Sequence, residues 1–516
     1  MNYKEHPFNF FIKNLKINPN KTAVIINKKK ISFAELDLLS KKYSNFISKL
    51  LFKFRKNEKI NIAIFSYKSI YKYALILACL RLNIAYSFLD YKSPSYRLKK
   101  IISTLNPKLI FFEKKDNINN IKKINKKFIN LDQEYILNTK KKFNNKKNFF
   151  FKKNNIAYIM FTSGSSGQPK GVSISYQNLT NFIKWCQNQY NFSNNDIFSN
   201  LNALHFDNSV FDIYASIFGG HTLVGINNEE IIDLSCVKKI FNKYKISVWF
   251  SVPSLIIFYL NFGFFKAKKN LKYVKKIIFG GEGFPKASLK ILFNITKKLG
   301  ITLVNVYGPT ETTCICSSYK ITKRDFSKGE MNKFAPIGKK LTYLFNHFFL
   351  KENKINDKEG ELIIYGKNVG LGYFKKKRET KSKFFIHHIS NKKSYHAYKT
   401  GDYFYKDLKG YLYFSGRKDQ QIKHLGHRIE LGEIEQVINE DKNVLECCVI
   451  YSAEDSINGG KVKCILSHSG NIMQLKNRIR VKLAKYMYPS EFIVLKVLPK
   501  NNNGKIDRLK IKERYS

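Results

Sequence analysis

From Lys59 to Phe65 apolar and polar residues alternate, which predicts a β-strand. Directly after it, Ile70, Ala74, Leu77 and Leu80 recur at helical spacing and predict a helix over 70–82. Ala157 to Phe161 is a short apolar strand. A Gly/Ser-rich loop follows it, and then Leu179, Phe182, Ile183 and Cys186 mark one face of a helix. Strands and helices keep alternating to about residue 320, the pattern of a layered α/β domain. From about 330 to 415 the segments are short, strand-like and glycine-rich, as in a small β subdomain.

The tail, 420–516, reads as a separate α+β unit. It predicts a helix over Leu431 to Asn439 and strands over Val444 to Tyr451 and Lys461 to Ser467. A helix with Ile472, Leu475, Ile479, Leu483 and Met487 on one face follows, and then a strand from Phe492 to Leu498. Residues 114–155 are rich in Lys and Asn with weak periodicity and read as a tolerant surface connection. The uncharged run Ile246 to Phe265 has about the length of a membrane span. It holds Pro253, three serines, Asn261 and Gly263, and reads instead as a buried strand, a turn and a short helix.

Charge adds one question. Lys+Arg is 92 against Asp+Glu 38, a formal net charge of +54 over 516 residues, a balance that raises nucleic acid as a partner. The chain is rich in Lys, Asn, Ile, Phe and Tyr together, residues that share AT-rich codons, and its cations are spread over the whole length with no arginine-rich arm. Base composition therefore accounts for the lysines, and no specific nucleic-acid site is expected. A basic surface still speeds encounter with an acidic protein. The eight cysteines form neither a disulfide framework nor a paired zinc pattern, and the first fifteen residues lack a secretory apolar run, so a cytoplasmic protein is expected.

The segment richest in chemistry is Tyr158-Ile-Met-Phe-Thr-Ser-Gly-Ser-Ser-Gly-Gln-Pro-Lys-Gly-Val172. Gly164, Gly167 and Gly171 let the backbone fold tightly with N–H groups outward. Thr162, Ser163, Ser165 and Ser166 add hydroxyl donors, and Lys170 adds a mobile positive charge. That combination makes a cradle for phosphate oxygens. It is not a Walker loop, because Lys170 is followed by Gly171 rather than Ser or Thr.

The loop resembles the phosphate loop of the adenylate-forming superfamily: acyl-CoA synthetases, luciferases, peptide-synthetase adenylation domains and D-alanine–carrier protein ligases. The resemblance continues in the family's order. Ala85-Tyr-Ser-Phe-Leu-Asp90 with Pro94 and Arg97 is similar to the early structural motif, and Phe206-Asp207-Asn-Ser209 to the start of the amino-acid pocket. Asn305-Val-Tyr-Gly-Pro-Thr-Glu311 resembles the adenine motif, Gly360-Glu361-Leu362 and Gly370-Leu-Gly-Tyr373 a later structural motif, and Tyr398-Lys-Thr-Gly-Asp402 the ribose motif. Gly416-Arg417-Lys-Asp419 through Glu430 resembles the hinge region, and Tyr486-Met-Tyr-Pro489 and Asn503-Gly-Lys505 the last two motifs. The resemblance covers about residues 20–510.

It implies an α/β fold. A large multi-layer N-terminal body, 1–418, would carry β-sheets flanked by helices plus a small β subdomain. A smaller, mobile α+β C-terminal domain, 419–516, would carry the catalytic lysine. The implied reaction joins a carboxylate to ATP, giving an acyl-adenylate and pyrophosphate. Thr162, Ser163, Gly164, Ser165, Ser166, Gly167 and Lys170 would hold the departing phosphates. Gly281, Asn305, Tyr307, Thr310, Asp402 and Arg417 would hold the rest of the nucleotide, with Asp402 accepting the ribose hydroxyls. Glu311 would ligate Mg²⁺, Lys505 would stabilise the reaction centre, and Asp419 would be the hinge.

Asp207 discriminates among family members, because amino-acid activators use this carboxylate to pair the substrate ammonium. Carried over from those relatives, Asn208, Phe211, Phe250, Ile278, Gly280, Val306 and Cys314 would line the pocket. They suit D-alanine or another small to medium uncharged amino acid. The stretches around Trp185, Phe211-Asp-Ile-Tyr214 and Val248-Trp-Phe-Ser-Val-Pro-Ser254 are most similar to D-alanine–carrier protein ligases. Those ligases carry a cysteine where Gly280 stands, and many relatives have His where Tyr176 stands. The expected acceptor is the phosphopantetheine thiol of a free-standing acyl or peptidyl carrier protein. The alternative is an acyl- or aryl-CoA synthetase on the same fold.

Overall fold

The computed structural model describes the chain except residues 1–4, 55–57, 117, 119–120, 123, 132–150, 165–167, 327–333, 392, 418, 453–459, 502–505 and 516. The chain forms two compact units. The body comprises Met1–Tyr91, Leu105–Met160 and Gly171–Gly416; the second unit comprises Lys92–Thr104, Phe161–Lys170 and Arg417–Ser516.

Among the described residues the body holds an eight-stranded sheet in the order Ser317–Lys320, Thr302–Tyr307, Lys276–Gly280, Val248–Ser251, Ile197–Asn200, Thr222–Gly225, Thr22–Ile26, Lys29–Ser32. The six inner strands pair in parallel, and the two edge strands are antiparallel. Parallel strands covered on both faces read as continuous apolar runs, as in Val-Trp-Phe at 248–250 and Ile-Ile-Phe at 277–279. Their alternation divides the core. Phe250, Ile278, Val304 and Val306 join one cluster, and Trp249, Ile277, Phe279 and Leu303 join another.

A second sheet, six-stranded among the described residues, runs Phe128–Asn130, Leu109–Phe112, Asn61–Phe65, Ala85–Leu89, Ile156–Thr162, Lys170–Ser175. The predicted helix forms as Ile70–Leu82 and is buried nearly all round. The helix Tyr176–Gln189 buries Leu179, Phe182, Ile183 and Cys186 as its spacing predicted, and it starts in a capping box between Ser175 and Asn178. Part of the region 114–155 joins the fold. Its strand Phe128–Asn130 adds an edge to this sheet, and Ile118, Ile121 and Leu131 are buried. A third, antiparallel sheet over residues 345–417 is the expected β subdomain.

In the second unit a hairpin, Gln421–His424 with His427–Glu430, leads into the helix Leu431–Asn439. Val444–Ser452, Lys461–His468 and Glu491–Val494 form a three-stranded sheet among the described residues. Two elements are shorter than their sequence periodicity predicted. The helix Ile472–Arg480 stops before Leu483 and Met487, where Ala484 turns extended. Both side chains stay buried by way of a 3₁₀ turn, Lys485–Met487, so core packing is kept without the helix. The last strand ends at Val494 because its register against Leu466 leaves little partner strand beyond.

The run 246–265 is the strand Val248–Ser251 and the helix Pro253–Asn261, as predicted. Among the described residues no helix is long and apolar enough to cross a membrane.

Candidate functional site

In the body, the turns that follow Ile197–Asn200, Lys276–Gly280 and Thr302–Tyr307 carry Asp207, Gly281 and Thr310 past the carboxyl ends of parallel strands. That is where open α/β sheets bind ligands. Asp207 is half-buried and directly precedes the helix Asn208–Ser216. Its Oδ2 accepts a hydrogen bond from the Thr310 hydroxyl at 2.6 Å. One turn into that helix, the Phe211 ring packs edge-on against Phe250, with centroids 5.0 Å apart. Parallel register places Phe250 beside Ile278, and Gly280 beside Val306. Thr310, Phe211, Phe250, Ile278, Gly280 and Val306 are buried.

The Cys314 thiol is buried as well, and burial, reinforced by the Asp207 charge, pushes its pKa well up. A Cβ on Gly281, which sits at φ +93°, would lie 3.3 Å from the Asn208 amide nitrogen. Sequence reasoning therefore gathered Asp207, Asn208, Phe211, Phe250, Ile278, Gly280, Val306 and Cys314 from five segments, and the fold gives them one setting: a carboxylate above an apolar floor. Gly280 has a steric reason to be glycine. A Cβ there would fall 2.4 Å from the Val306 carbonyl oxygen, with no room for the cysteine of the D-alanine ligases.

A second corner of the body holds Tyr307 and Asp402. The Tyr307 hydroxyl donates to Asp402 Oδ2 at 2.6 Å, and both residues are buried. The Tyr307 ring stands edge-on to Phe404, 5.1 Å between centroids. Asn305 directs its amide nitrogen to the Pro336 carbonyl at 3.0 Å. That bond uses one of the two hydrogens on the Asn305 amide nitrogen.

Glu311 is fully buried on a 3₁₀ turn and accepts from the Tyr373 hydroxyl at 2.8 Å. Thr313 and Cys314, directly after it, have φ of 59° and 74°, a left-handed geometry that β-branched Thr rarely adopts. Strain of this kind concentrates at functional turns. Among the described residues no group of three or more His, Cys, Asp or Glu could hold a metal ion. Glu311 brings one hard oxygen ligand, which fits Mg²⁺ only if phosphate oxygens and water complete its shell.

The second unit carries the loop. Thr162 ends the strand Ile156–Thr162, and Lys170 begins Lys170–Ser175. A Cβ on Gly164 would fall 2.1 Å from the Gln168 carbonyl oxygen, so the turn admits only glycine. Buried Ser163 donates its hydroxyl to the Arg428 carbonyl at 2.7 Å, tying the loop to the hairpin. Burial pushes the Glu430 carboxyl up against the pull of Arg428, Lys170 and Arg417. Arg417 grips Asp419 with two hydrogen bonds of 2.7 Å each. The reason is local: Asp419 lies two residues on, and its carboxylate matches the guanidinium fork. Ser165, Ser166, Gly167 and Lys505 lie outside the described residues.

Open parallel sheets, with Gly-rich and carboxylate-bearing turns past their strand ends, define an α/β enzyme that handles a nucleotide. Residues 11–374 match the family model of AMP-binding enzymes, and residues 433–505 match that of the AMP-binding enzyme C-terminal domain. The chain belongs to the AMP-binding enzyme family, and it is an AMP-forming ligase. It is 34% identical to a D-alanine–D-alanyl carrier protein ligase of Lactococcus lactis over 69% of either chain. It is 27% identical to an L-proline–[L-prolyl-carrier protein] ligase of Pseudomonas fluorescens over 95% of either chain. Its fold superposes on an NRPS protein containing adenylation and PCP domains with a TM-score of 0.83 at 20% identity, covering 99% of this chain and 84% of that one.

Proposed function

We propose that this ligase activates a small or medium uncharged amino acid with ATP and passes it to the phosphopantetheine thiol of a carrier protein. The observation that carries this reading is Asp207, a half-buried carboxylate held by Thr310 beside the apolar pair Phe211 and Phe250. In this reading the substrate ammonium bonds to that carboxylate. The names of the two carrier-protein ligases above support the acceptor.

The amino-acid carboxylate oxygen attacks the α-phosphorus, a new O–P bond forms, and the α–β anhydride breaks to release pyrophosphate. The thiol of the carrier arm then attacks the carbonyl carbon, AMP leaves, and the thiol proton passes to solvent. In this reading Thr162, Ser163, Gly164 and Lys170, with Ser165, Ser166 and Gly167, take the departing phosphates. Asp402 takes the ribose hydroxyls and must exchange Tyr307 for them. Tyr307, Asn305, Gly281 and Thr310 frame the base and the α-phosphate. Glu311 would hold Mg²⁺, which neutralises phosphate charge. Lys505 stabilises the pentacoordinate phosphorus. Arg417 must release Asp419 before it can serve the nucleotide, which makes that pair the reading for Asp419 as a hinge.

The test is amino-acid-dependent ATP–pyrophosphate exchange across the common L-amino acids, glycine and D-alanine. One small amino acid should support exchange. Asp207→Ala should lower its kcat/KM by about a hundredfold or more, the scale of an unpaired buried charge. Lys505→Ala should abolish exchange while leaving ATP binding. Exchange with an aryl or fatty acid and none with any amino acid would sink the proposal in favour of an acyl-CoA synthetase.

A further inference from the structure

Behind the pocket lies a buried polar network that reaches beyond the family motifs above; of its side chains only Asp212 falls in a stretch already named, Phe211-Asp-Ile-Tyr214. Lys68 follows the strand Asn61–Phe65 and is 2% exposed. Its ammonium donates to the carbonyls of Asn200, Leu201 and Ile226 at 2.8, 3.2 and 2.5 Å. The Asn200 amide accepts from the Tyr73 hydroxyl at 2.7 Å and donates to Asp212 Oδ2 at 2.7 Å. Asn202 donates to the same Asp212 oxygen at 3.0 Å and to the Phe250 carbonyl at 3.1 Å. Asp212 is fully buried, and its Oδ1 has no hydrogen-bond partner among the described residues.

The arrangement joins the two walls that carry the pocket. Asp212 is the residue after Phe211, on the helix that Asp207 opens. The Phe250 carbonyl belongs to the strand against whose ring Phe211 packs. Asn202 bridges the two with its single amide nitrogen and leads into the segment 203–207 that ends at Asp207. An apolar cluster would hold helix to strand at least as firmly; a hydrogen-bonded polar bridge fixes their register as well. Burial drives the Asp212 carboxyl up and the Lys68 ammonium down, each drawn back by the other's charge, so the charges balance across Asn200.

We propose that Asp212 and Asn202 are positioning residues for the amino-acid pocket, holding Asp207, Phe211 and Phe250 at the spacing that selects the substrate. The proposal rests on the amino-acid-activating reading above. Neither residue touches the substrate; both act through the walls.

The experiment is steady-state exchange kinetics on the full chain, with the amino acid and ATP varied separately. Asp212→Ala and Asn202→Ala should each raise KM for the amino acid about tenfold and leave KM for ATP within about twofold. Asp212→Asn, which keeps an oxygen to accept from both amides, should recover most of the loss. Thermal midpoints measured alongside separate a misplaced wall from a lost fold. Should the alanine variants fail to fold, Asn202→Ser is measured in the same way, since its hydroxyl can satisfy only one of the two acceptors. An unchanged amino-acid KM in a folded alanine variant, or in Asn202→Ser where the alanine variants do not fold, overturns the proposal, as does an equal rise in both KM values. Wild-type exchange that needs no amino acid refutes the underlying activity instead, and the two failures are told apart by that one control.

Discussion

The polar groups behind the pocket and two ion pairs of the second unit are built on different terms. In the body, Lys68, Asn200, Asn202 and Asp212 are all buried, and their side-chain hydrogen bonds run to backbone carbonyls, to the Tyr73 hydroxyl and to one another. In the second unit, Arg417 meets Asp419 and Lys482 meets Glu440, pairs in which at least one side chain is about a third or more exposed. Buried groups of the first kind are costly to leave unpaired, so they hold one geometry. Ion pairs of the second kind contribute at most about 1 kcal/mol and exchange readily with water and salt. Walls that must discriminate one side chain from another need the first. Residues that would trade one partner for another during a reaction cycle need the second.

Three perturbations sharpen the contrast. The largest effect is expected from Gly280→Cys, which puts a side chain against the Val306 backbone between paired strands. Overpacking of this kind destabilises by about 1–3 kcal/mol, visible as a lower thermal midpoint. A variant as stable as the wild type would show the walls to be as yielding as the second unit.

Next comes acid. Burial, helped by the nearby Lys21 charge, holds the His221 pKa down at about 4 against 6.5 for an unburied histidine. The unfolded chain therefore binds a proton that the folded chain refuses between pH 6.5 and 4. Stability from this group is present above 6.5 and is lost as pH falls through that window. His221→Phe, set among Phe192 and Phe198, should remove about 2 kcal/mol from the stability lost between pH 7 and pH 5. Denaturant unfolding at the two pH values measures it, and an identical pH slope in the variant would contradict it.

The smallest effect belongs to Asp419→Asn, which breaks the Arg417 fork. A loss under about 1 kcal/mol is expected, shrinking further at high salt. A salt-independent loss several times larger would place that pair with the buried network instead.

The strands at 61–65 and 156–162, the helices at 70–82 and 176–189 and the tail helix at 431–439 were legible because apolar spacing there matches one period over several residues. The strand Phe128–Asn130 was not, since three residues in a Lys/Asn-rich stretch carry no period and acquire their place only by pairing with Leu109–Phe112. The tail helix read too long because Leu483 and Met487 keep helical spacing while packing through a turn. Asp207, Tyr307, Asp402 and Glu311 were legible as members of ordered motifs. Lys68 and Asn202 were not: one more lysine in a chain of net charge +54 carries no signal, and its burial is invisible before the fold; Asp212 stood in the Phe211-Asp-Ile-Tyr214 stretch, but nothing local gave its partners.

The order of motifs along the chain determined by itself that this is an AMP-binding enzyme, because residue type and short spacing are local properties. Tertiary structure alone decided what the residues of those motifs touch. It gave the Tyr307 hydroxyl to Asp402, Arg417 to Asp419 and the Asn305 amide to Pro336, and it closed Gly280 against Val306. Contacts between residues that lie far apart in sequence depend on how strands and helices come to rest, and local chemistry does not specify that.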